Sequence, residues 1–180
     1  KEGLLPQRQA LSPSRCVPPS DRKGLGNAIT REMHDEDMAL IRELGANTVR
    51  LAHYQHDQYF YDLCDQYGMV VWAEIPYISE ASAQWPGKYH QPDEGAHPPE
   101  LQPPSIVCWG VSNEITISTK DKADMLDNHR VLNELCHKLD PTRPDHAGLL
   151  RCVRPFNPVA HITDLVSWNL YLAGMCRACS

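Results

Sequence analysis

Residues 47–76 read NTVRLAHYQHDQYFYDLCDQYGMVVWAEIP, and this stretch contains the pattern that decides the fold. A β-branched segment at 47–51 is followed by apolar residues at helical spacing and then by the run MVVWAEI at 69–75. A strand that is apolar almost throughout is typical of a parallel sheet covered on both faces. The stretch therefore predicts a strand, a helix and a second strand in succession.

The same alternation continues on both sides of this stretch. The patterns predict helices at 31–44, 57–67 and 121–139 and strands at 47–51, 69–75, 106–111 and 162–169. Helices that alternate with strands indicate an α/β fold with a parallel sheet, and either a barrel or an open doubly wound sheet fits. The Gly-rich turn of a nucleotide-binding sheet is not evident, because Gly24-Leu25-Gly26 lacks a third glycine and follows no predicted strand.

The length, composition and net charge of the chain exclude several classes of protein. The chain has 180 residues, of which 42% are hydrophobic, which is enough for one domain with a core. A formal net charge of −6 argues against binding to nucleic acid or to an anionic membrane surface. No apolar run is long enough to span a bilayer, and no secretory signal opens the chain.

The spacing of the seven cysteines does not indicate a metal centre. Cys64, Cys108 and Cys136 lie within apolar segments and are expected to be buried thiols. Cys176 and Cys179 form a C-x-x-C pair, but a structural zinc site needs a second pair or histidines at suitable spacing. We therefore predict no metal ligands from the cysteines.

Polar residues follow three of the predicted strands at the point where each strand ends. Arg50 and His53 lie at the end of the first strand, Glu74 closes the second, and Asn113 and Glu114 follow the third. Each alone fits an ion pair, a polar loop residue or a cap. In α/β barrels, however, reacting groups lie at the carboxyl ends of strands, so their convergence predicts a functional site.

Glu114 is the strongest candidate because it directly follows a buried strand. Partial desolvation favours the protonated form of a carboxyl, which suits a general acid, and the Asn113 amide can bind a hydroxyl. Cleavage of a glycosidic bond needs such an acid together with a second carboxyl. Aromatic residues near these strand ends could stack on a sugar, although Trp109 is equally a core residue. They are Trp72, Tyr77, Trp109 and Trp168.

Four segments together resemble glycoside hydrolase family 2. They are the stretch 47–76, PSIVCWGVSNE at 104–114, DPTRP at 140–144 and DLVSWNLY at 164–171. The sequences of these segments are most similar to those of bacterial β-galactosidases of that family. The resemblance implies that residues 1–180 are the N-terminal part of a catalytic TIM (β/α)8 barrel, which is partial and incomplete. It also implies a retaining enzyme that hydrolyses terminal non-reducing β-D-galactose residues.

The resemblance assigns a role to each strand-end residue. Glu114 becomes the acid/base, Asn113 contacts the 2-hydroxyl of the sugar, and Arg50 and His53 line the galactosyl subsite. Glu74 matches an acidic substrate-site position. The nucleophile of a retaining enzyme is a second carboxyl about 5 Å from the acid/base. The family places it on a later strand that nothing in this sequence matches, so we expect the chain alone to be inactive.

Other interpretations stay open at this point. The chain could belong to a β-glucuronidase or β-mannosidase of the same family, to a non-catalytic carbohydrate-binding remnant, or to a redox or zinc module built on the C-x-x-C pair. No cofactor is evident, although the resemblance is compatible with Mg²⁺. It is also compatible with a homo-oligomeric parent protein in the bacterial cytoplasm that binds a β-galactoside and neither nucleic acid nor membrane.

Several segments depart from the family pattern: 1–20, 81–104, 145–155 and 172–180. We hypothesise that they are the correct coding sequence read in a shifted frame. The segment GKYHQPDEGAHPPELQPP at 87–104 can be written in codons that, regrouped from the second base, translate as ENTISQMKELIHQNYNH. That is an amphipathic helix. One added base converts YLAGMC at 171–176 into YFGWYV, so Cys16, Cys152, Cys176 and Cys179 would be translation artefacts.

Overall fold

A computed structural model describes residues 15–16, 21–26, 28–77, 103–117, 119 and 122–169. Six parallel strands form one sheet in these ranges. The strands are β1 (Arg15–Cys16), β2 (Thr48–Leu51), β3 (Val70–Glu74), β4 (Ile106–Asn113), β5 (Asp145–Leu150) and β6 (Leu165–Asn169).

The order of the strands decides between the two architectures that the sequence left open. Each strand pairs with the next one along the chain, in the order β1-β2-β3-β4-β5-β6. A doubly wound sheet reverses its strand order at a switch point, and a TIM barrel does not. The fold is therefore part of a (β/α)8 barrel, as the family resemblance implied.

The described residues include three helices between strands: α1 (Arg31–Glu43), α2 (Gln58–Tyr67) and α3 (Lys122–Leu139). The Asp57 side chain caps α2 by accepting the Tyr59 backbone N–H at 2.8 Å. Gly68 ends α2 with a φ of 66°, a left-handed backbone that suits glycine. A short 3₁₀ helix, Pro158–His161, precedes β6.

Alternating residues of the strands face opposite sides of the sheet. Val49 and Leu51 of β2, together with Val71 and Ala73 of β3, pack in the core under α1 and α2. Arg50 and Glu74 contact each other on the opposite face, which is the inside of the barrel. Because side chains alternate along a strand, burying the first set under the helices turns the charged set inward.

A second apolar cluster lies between α3, β5 and the 3₁₀ helix and includes Met125, Leu149 and Val159. The Leu139 side chain at the end of α3 lies outside this cluster and is 56% exposed. It lies in the last turn, whereas the fully buried residues of the helix, Met125 and His129, lie in its first half.

Residues 144–156 were expected to be irregular, and this expectation was wrong for Asp145–Leu150. They form β5, which pairs with both β4 and β6. The segment DHAGLL begins with two polar residues and contains a glycine, so it carries no strand period. Pairing on both sides, rather than local preference, makes it a strand.

The remaining irregular segments lie mostly outside the described residues. This holds for 78–102 and 170–180, and for 1–20 except the backbone of β1. Within the described ranges Cys64 and Cys108 are buried, Cys136 is half-buried and Cys152 is exposed, all as free thiols. Burial raises the pKa of Cys64, Cys108 and Cys136 to about 12, as expected of unreactive core thiols. Among these ranges, no helix has the length and apolarity required to cross a membrane.

Candidate active site

An irregularity in β4 sets the orientation of Asn113. The register with β5 shifts between Gly110 and Ser112, so one extra residue of β4 lies between two pairs. Ser112 consequently contacts His129 of α3 on the helix side, and Asn113 contacts Arg50 inside the barrel. Gly110 faces the inside of the barrel, so strict alternation from Gly110 would direct Asn113 toward the helices.

Arg50 is the centre of the polar network at the carboxyl ends of the strands. Its Nε donates to Glu74 Oε1 of β3, its Nη2 to Asn113 Oδ1 of β4 at 2.9 Å, and its Nη1 to Asn169 Oδ1 of β6 at 3.1 Å. The guanidinium carbon also lies 5.3 Å from the centre of the Trp72 ring. Because a guanidinium donates in fixed directions, Arg50 holds the ends of three strands in one arrangement.

Glu74 accepts bonds from two of the predicted site residues. One carboxylate oxygen pairs with Arg50, and the other lies 2.6 Å from His53 Nδ1. The Glu74 side chain is 2% exposed, whereas that of His53 is 37% exposed. Glu74 therefore orients His53, and the exposed part of the imidazole is available to a ligand. A direct contact of Glu74 with substrate stays a prediction.

Glu114 follows β4 with a φ of 54°, which is uncommon for a residue other than glycine. Its backbone N–H donates to the Gly148 carbonyl at 2.8 Å, and the residue is 8% exposed. Its Oε1 accepts a hydrogen bond from Asn169 Nδ2 at 2.7 Å. Backbone strain that tertiary bonds maintain is a common feature of functional sites.

Sequence reasoning missed Asn169 as a site residue. It is the last residue of β6, and it contacts Arg50, Asn113 and Glu114. The signal was available, because Asn169 is a polar residue at the end of a predicted strand, as Glu74 and Asn113 are. The five predicted residues and Asn169 thus form one connected group.

Two glycines provide the space for this group. A Cβ atom on Gly110 would lie 2.5 Å from Glu74 Cγ and 3.0 Å from Trp72 Nε1. A Cβ atom on Gly148 would lie 2.4 Å from Asn113 Oδ1. A Cβ atom at either position would lie too close to these side-chain atoms. Only glycine at 110 and 148 therefore leaves the polar side chains where they are.

The four aromatic residues proposed for sugar stacking have different environments. Tyr77 is fully buried in the second apolar cluster, and Trp109 packs on the first and donates to Asp140 at 2.9 Å. The stacking role was wrong for Tyr77, which is 0% exposed, and Trp109 has the core position that the sequence left open for it. Trp72 lies beneath Arg50, and the Trp168 indole donates to the Val153 carbonyl at 3.0 Å.

The described residues around Glu114 do not fit Mg²⁺, which requires several oxygen ligands. Glu114 Oε1 and Asn113 Oδ1 accept from N–H groups, and both oxygens of Glu74 are paired with Arg50 and His53. Three possible metal ligands lie near the amino-terminal ends of β5 and β6, away from Glu114. Their ligand atoms are within 4.8 Å of one another. They are His137, Asp145 and Asp164.

Comparison with known proteins agrees with this arrangement. The model of the "Glycosyl hydrolases family 2, TIM barrel domain" matches residues 20–150. A β-glucuronidase of Bacteroides fragilis is 34% identical over 161 residues, which are 84% of this chain and 22% of that protein. A β-galactosidase of Thermoanaerobacterium thermosulfurigenes is 30% identical over 148 residues, which are 76% of this chain and 20% of that protein.

A solved structure shows the same backbone arrangement. The crystal structure of an FMN-binding β-glucuronidase from Facaelibacterium prausnitzii L2-6 superposes with a TM-score of 0.77 at 40% identity, over 89% of this chain and 25% of that one. The chain thus spans between a fifth and a quarter of the length of these relatives. The strand order, the polar network at the strand ends and the matched domain agree, and the chain belongs to glycoside hydrolase family 2.

Proposed function

We propose that this segment supplies the acid/base half of the active site of a retaining β-glycosidase. The observation that carries the proposal is the placement of Glu114: a buried carboxyl at a strand end, joined through Asn169 to Asn113 and Arg50. Two carboxyls carry out the retaining reaction, and only one of them needs to donate a proton. Among the described residues, Glu114 is the carboxyl that suits this task, since one oxygen of Glu74 is paired with Arg50 and the other is held by His53 Nδ1.

The chemistry assigned to Glu114 has two stages. In the first, its proton passes to the glycosidic oxygen as the bond from that oxygen to C1 breaks, while a carboxylate nucleophile outside the described residues bonds to C1. The leaving group departs as a neutral alcohol. In the second, the Glu114 carboxylate takes a proton from water, and the resulting hydroxide displaces the nucleophile from C1.

The polar network binds and orients the sugar in this proposal. The Asn113 amide lies beside Glu114, where its N–H₂ group can donate to a hydroxyl next to C1, since its Oδ1 already accepts from Arg50 and Asn169. The exposed side of His53 faces the ligand, and its Nδ1 is fixed by Glu74. Such fixed donors stabilise a transition state because they need no reorientation during the reaction.

The substrate that we propose is a terminal β-linked hexose or hexuronic acid. The relatives at 34% and 40% identity are β-glucuronidases, which favours a β-glucuronide. The sequence motifs most resemble those of β-galactosidases, and the relative at 30% identity is a β-galactosidase. Both observations favour a β-galactoside. The whole protein is assayed for hydrolysis of the 4-nitrophenyl β-D-glucuronide, β-D-galactoside and β-D-mannoside. The substrate with the highest kcat/KM identifies the sugar.

The role of Glu114 is tested by Glu114→Gln in the whole protein that contains this segment. Loss of the acid should reduce kcat/KM on a 4-nitrophenyl glycoside by roughly 10²-fold or more. It should leave kcat/KM on a 2,4-dinitrophenyl glycoside much less affected, because kcat/KM reports the first stage and that leaving group needs no proton. Equal losses on both substrates would refute an acid role. Glu134→Gln, on the exposed side of α3, is the matched control and should change neither rate.

For the 180 residues alone we expect no turnover, since the mechanism needs a nucleophile that the described site does not contain. Calorimetry with galactose and with glucuronic acid measures whether the chain alone binds a sugar. Binding without hydrolysis is expected of this chain both as an acid/base half and as a non-catalytic carbohydrate-binding remnant, and activity of the whole protein that is lost in Glu114→Gln distinguishes the two. Hydrolysis by the purified 180-residue chain would contradict the expectation.

A further inference from the structure

The orientation of the Asn169 amide is determined by its three partners. Its Oδ1 accepts from Arg50 Nη1, and its Nδ2 donates to Asn113 Oδ1 at 2.9 Å and to Glu114 Oε1 at 2.7 Å. Turning the amide by 180° would place its oxygen against two acceptors and its N–H₂ group against the guanidinium. The side chain therefore presents an N–H donor to Glu114, and no alternative assignment satisfies all three partners.

A donor facing Oε1 decides where the proton of Glu114 resides. Asn169 donates to Oε1, so a proton on Oε1 would weaken that bond, whereas a proton on Oε2 leaves it intact. We infer that Asn169 is a positioning residue that keeps the transferable proton of Glu114 on Oε2, the oxygen that then faces the glycosidic bond. This inference rests on the acid/base role proposed above and adds a residue that acts through Glu114 rather than on the sugar.

The same bond also contributes during the reaction. When the proton leaves Oε2, Glu114 becomes a carboxylate, and a hydrogen bond to a carboxylate is stronger than one to a neutral acid. The donor from Asn169 therefore stabilises the products of proton transfer more than the reactants, and only such differential stabilisation accelerates the step. The benefit should increase with the amount of proton transfer that the leaving group requires.

This dependence on the leaving group separates positioning from simple structural support. In the whole protein, Asn169→Ala should reduce kcat/KM by roughly 10- to 100-fold on phenyl glycosides, comparable to the loss of one preorganised donor. On 2,4-dinitrophenyl glycosides the reduction should be about threefold or less, since proton donation contributes little there. Asn169→Asp, which keeps the shape but replaces the donor by an acceptor, should show the same selective loss.

The matched control is Asn157→Ala, which removes an amide that caps the 3₁₀ helix through the Val159 N–H at 3.1 Å. It should leave the ratio of the two rates unchanged. A uniform loss on all leaving groups in the Asn169 variants would overturn the inference. If Glu114→Gln itself shows no leaving-group dependence, the acid role fails and not merely the role of Asn169.

A second measurement on the whole protein, labelled with ¹⁵N in its asparagine side chains, needs no turnover. In ¹⁵N-edited spectra the Asn169 side-chain N–H₂ signals should shift in Glu114→Ala, since that variant removes the acceptor at 2.7 Å. The Asn157 side-chain signals should stay in place and report that the fold is retained. Unchanged Asn169 signals in a folded Glu114→Ala chain would refute the contact on which the inference depends.

Discussion

Gly148 illustrates how one residue without a side chain fixes the chemistry of its neighbours. It lies on β5 next to Asn113 of β4, and its carbonyl accepts the Glu114 backbone N–H at 2.8 Å. Its missing Cβ leaves room for Asn113 Oδ1 and for Arg50 Nη2. The backbone of β5 therefore approaches the site more closely than any residue with a side chain would allow.

Gly148→Ala should displace Asn113, because the added Cβ would lie 2.4 Å from its Oδ1. We expect the free energy of unfolding to fall by about 1–3 kcal/mol, as overpacking usually costs. In the whole protein kcat/KM should fall by at least roughly tenfold, since a displacement of about 1 Å near the chemistry has such effects. Chemical denaturation and steady-state kinetics measure the two changes.

The control for this variant is Gly68→Ala, at the end of α2. Gly68 has a φ of 66° and open space around its Cα, so alanine there adds only backbone strain of roughly 1 kcal/mol. It should lower stability without lowering kcat/KM. If Gly148→Ala has wild-type kinetics, the close approach of β5 does not position the site.

His129 is a buried residue that should make stability depend on pH. It is 0% exposed, and its Nε2 lies 3.1 Å from Ser112 Oγ. Burial, assisted by the charge of Arg130, lowers its pKa to about 4. An unfolded histidine titrates near 6.5, so between these values the unfolded chain binds a proton that the folded chain does not. The free energy of unfolding should therefore fall by up to about 3 kcal/mol as pH is lowered from about 6.5 to about 4.

His129→Gln should remove this part of the pH dependence, because glutamine binds no proton in either state. The variant and the parent are compared by urea denaturation between pH 4.5 and 8. His161→Gln, at an exposed histidine, is the control and should preserve the pH dependence of the parent. Parallel pH curves for His129→Gln and the parent would refute the assignment.

At the scale of elements, the segment DPTRP connects α3 to β5 along the chain and contacts β4. Asp140 accepts from Trp109 Nε1 at 2.9 Å, from the Thr142 N–H at 3.0 Å and from Arg143 Nη1 at 2.6 Å. Arg143 also donates to the Ile106 carbonyl at 2.6 Å. Burial opposes the charge of Asp140, but the bonds from Thr142, Trp109 and Arg143 outweigh it and hold the pKa of the carboxyl below its usual range. These contacts lie at the amino-terminal ends of the strands, where barrels keep residues for stability.

Asp140→Asn should lower the free energy of unfolding by about 2 kcal/mol, because it weakens charged bonds to a buried group. Since the folded pKa is lowered, the contribution of Asp140 is present above about pH 4 and is lost at lower pH. The control is Asp127→Asn, whose 2.7 Å pair with Arg130 is exposed and should contribute less than about 0.5 kcal/mol. Equal effects of both substitutions in denaturation experiments would contradict the assignment.

At the scale of the whole molecule, the described sheet ends in a strand with one neighbour. β6 pairs with β5, and its Leu165 and Trp168 are 49% and 37% exposed. Phe156 of the preceding loop is 72% exposed. An outer strand with apolar side chains is prone to pair with other chains, and a closed barrel removes such edges.

We therefore expect the isolated 180-residue chain to be marginally stable or to aggregate. Calorimetry together with size-exclusion chromatography of purified chain measures both properties. A cooperative unfolding transition with a high midpoint in a monodisperse sample would contradict this prediction. As a control, Leu165→Lys, which places a charge on the outer strand, should reduce aggregation without changing the contacts of Arg50.

The shifted-frame hypothesis concerns segments that lie mostly outside the described residues, and it stays a prediction. Its test is the DNA that encodes residues 87–104 and 171–176. We expect single-base insertions or deletions at the borders of these segments when that DNA is sequenced again. A continuous reading frame with no such slip would refute the hypothesis.

The sequence by itself determined the family through its motifs, and it located the three described helices, four of the six described strands and five of the strand-end residues. Apolar periodicity marks each helix and most strands, and residues such as Glu74 and Glu114 are polar at the point where an apolar run ends. Those signals are local, so they can be read along the chain without knowledge of distant contacts. The same reasoning located Arg50, His53 and Asn113.

Only the tertiary structure decided which of these side chains meet. The extra residue in β4 directs Asn113 inward, the glycines of β4 and β5 make room for the network, and Asn169 from β6 reaches Glu114 across a separation of 55 residues. β5 itself has no local strand pattern and exists because two neighbours pair with it. Strand register, steric space and strand pairing depend on segments of the chain that are remote in sequence, so no local pattern encodes them.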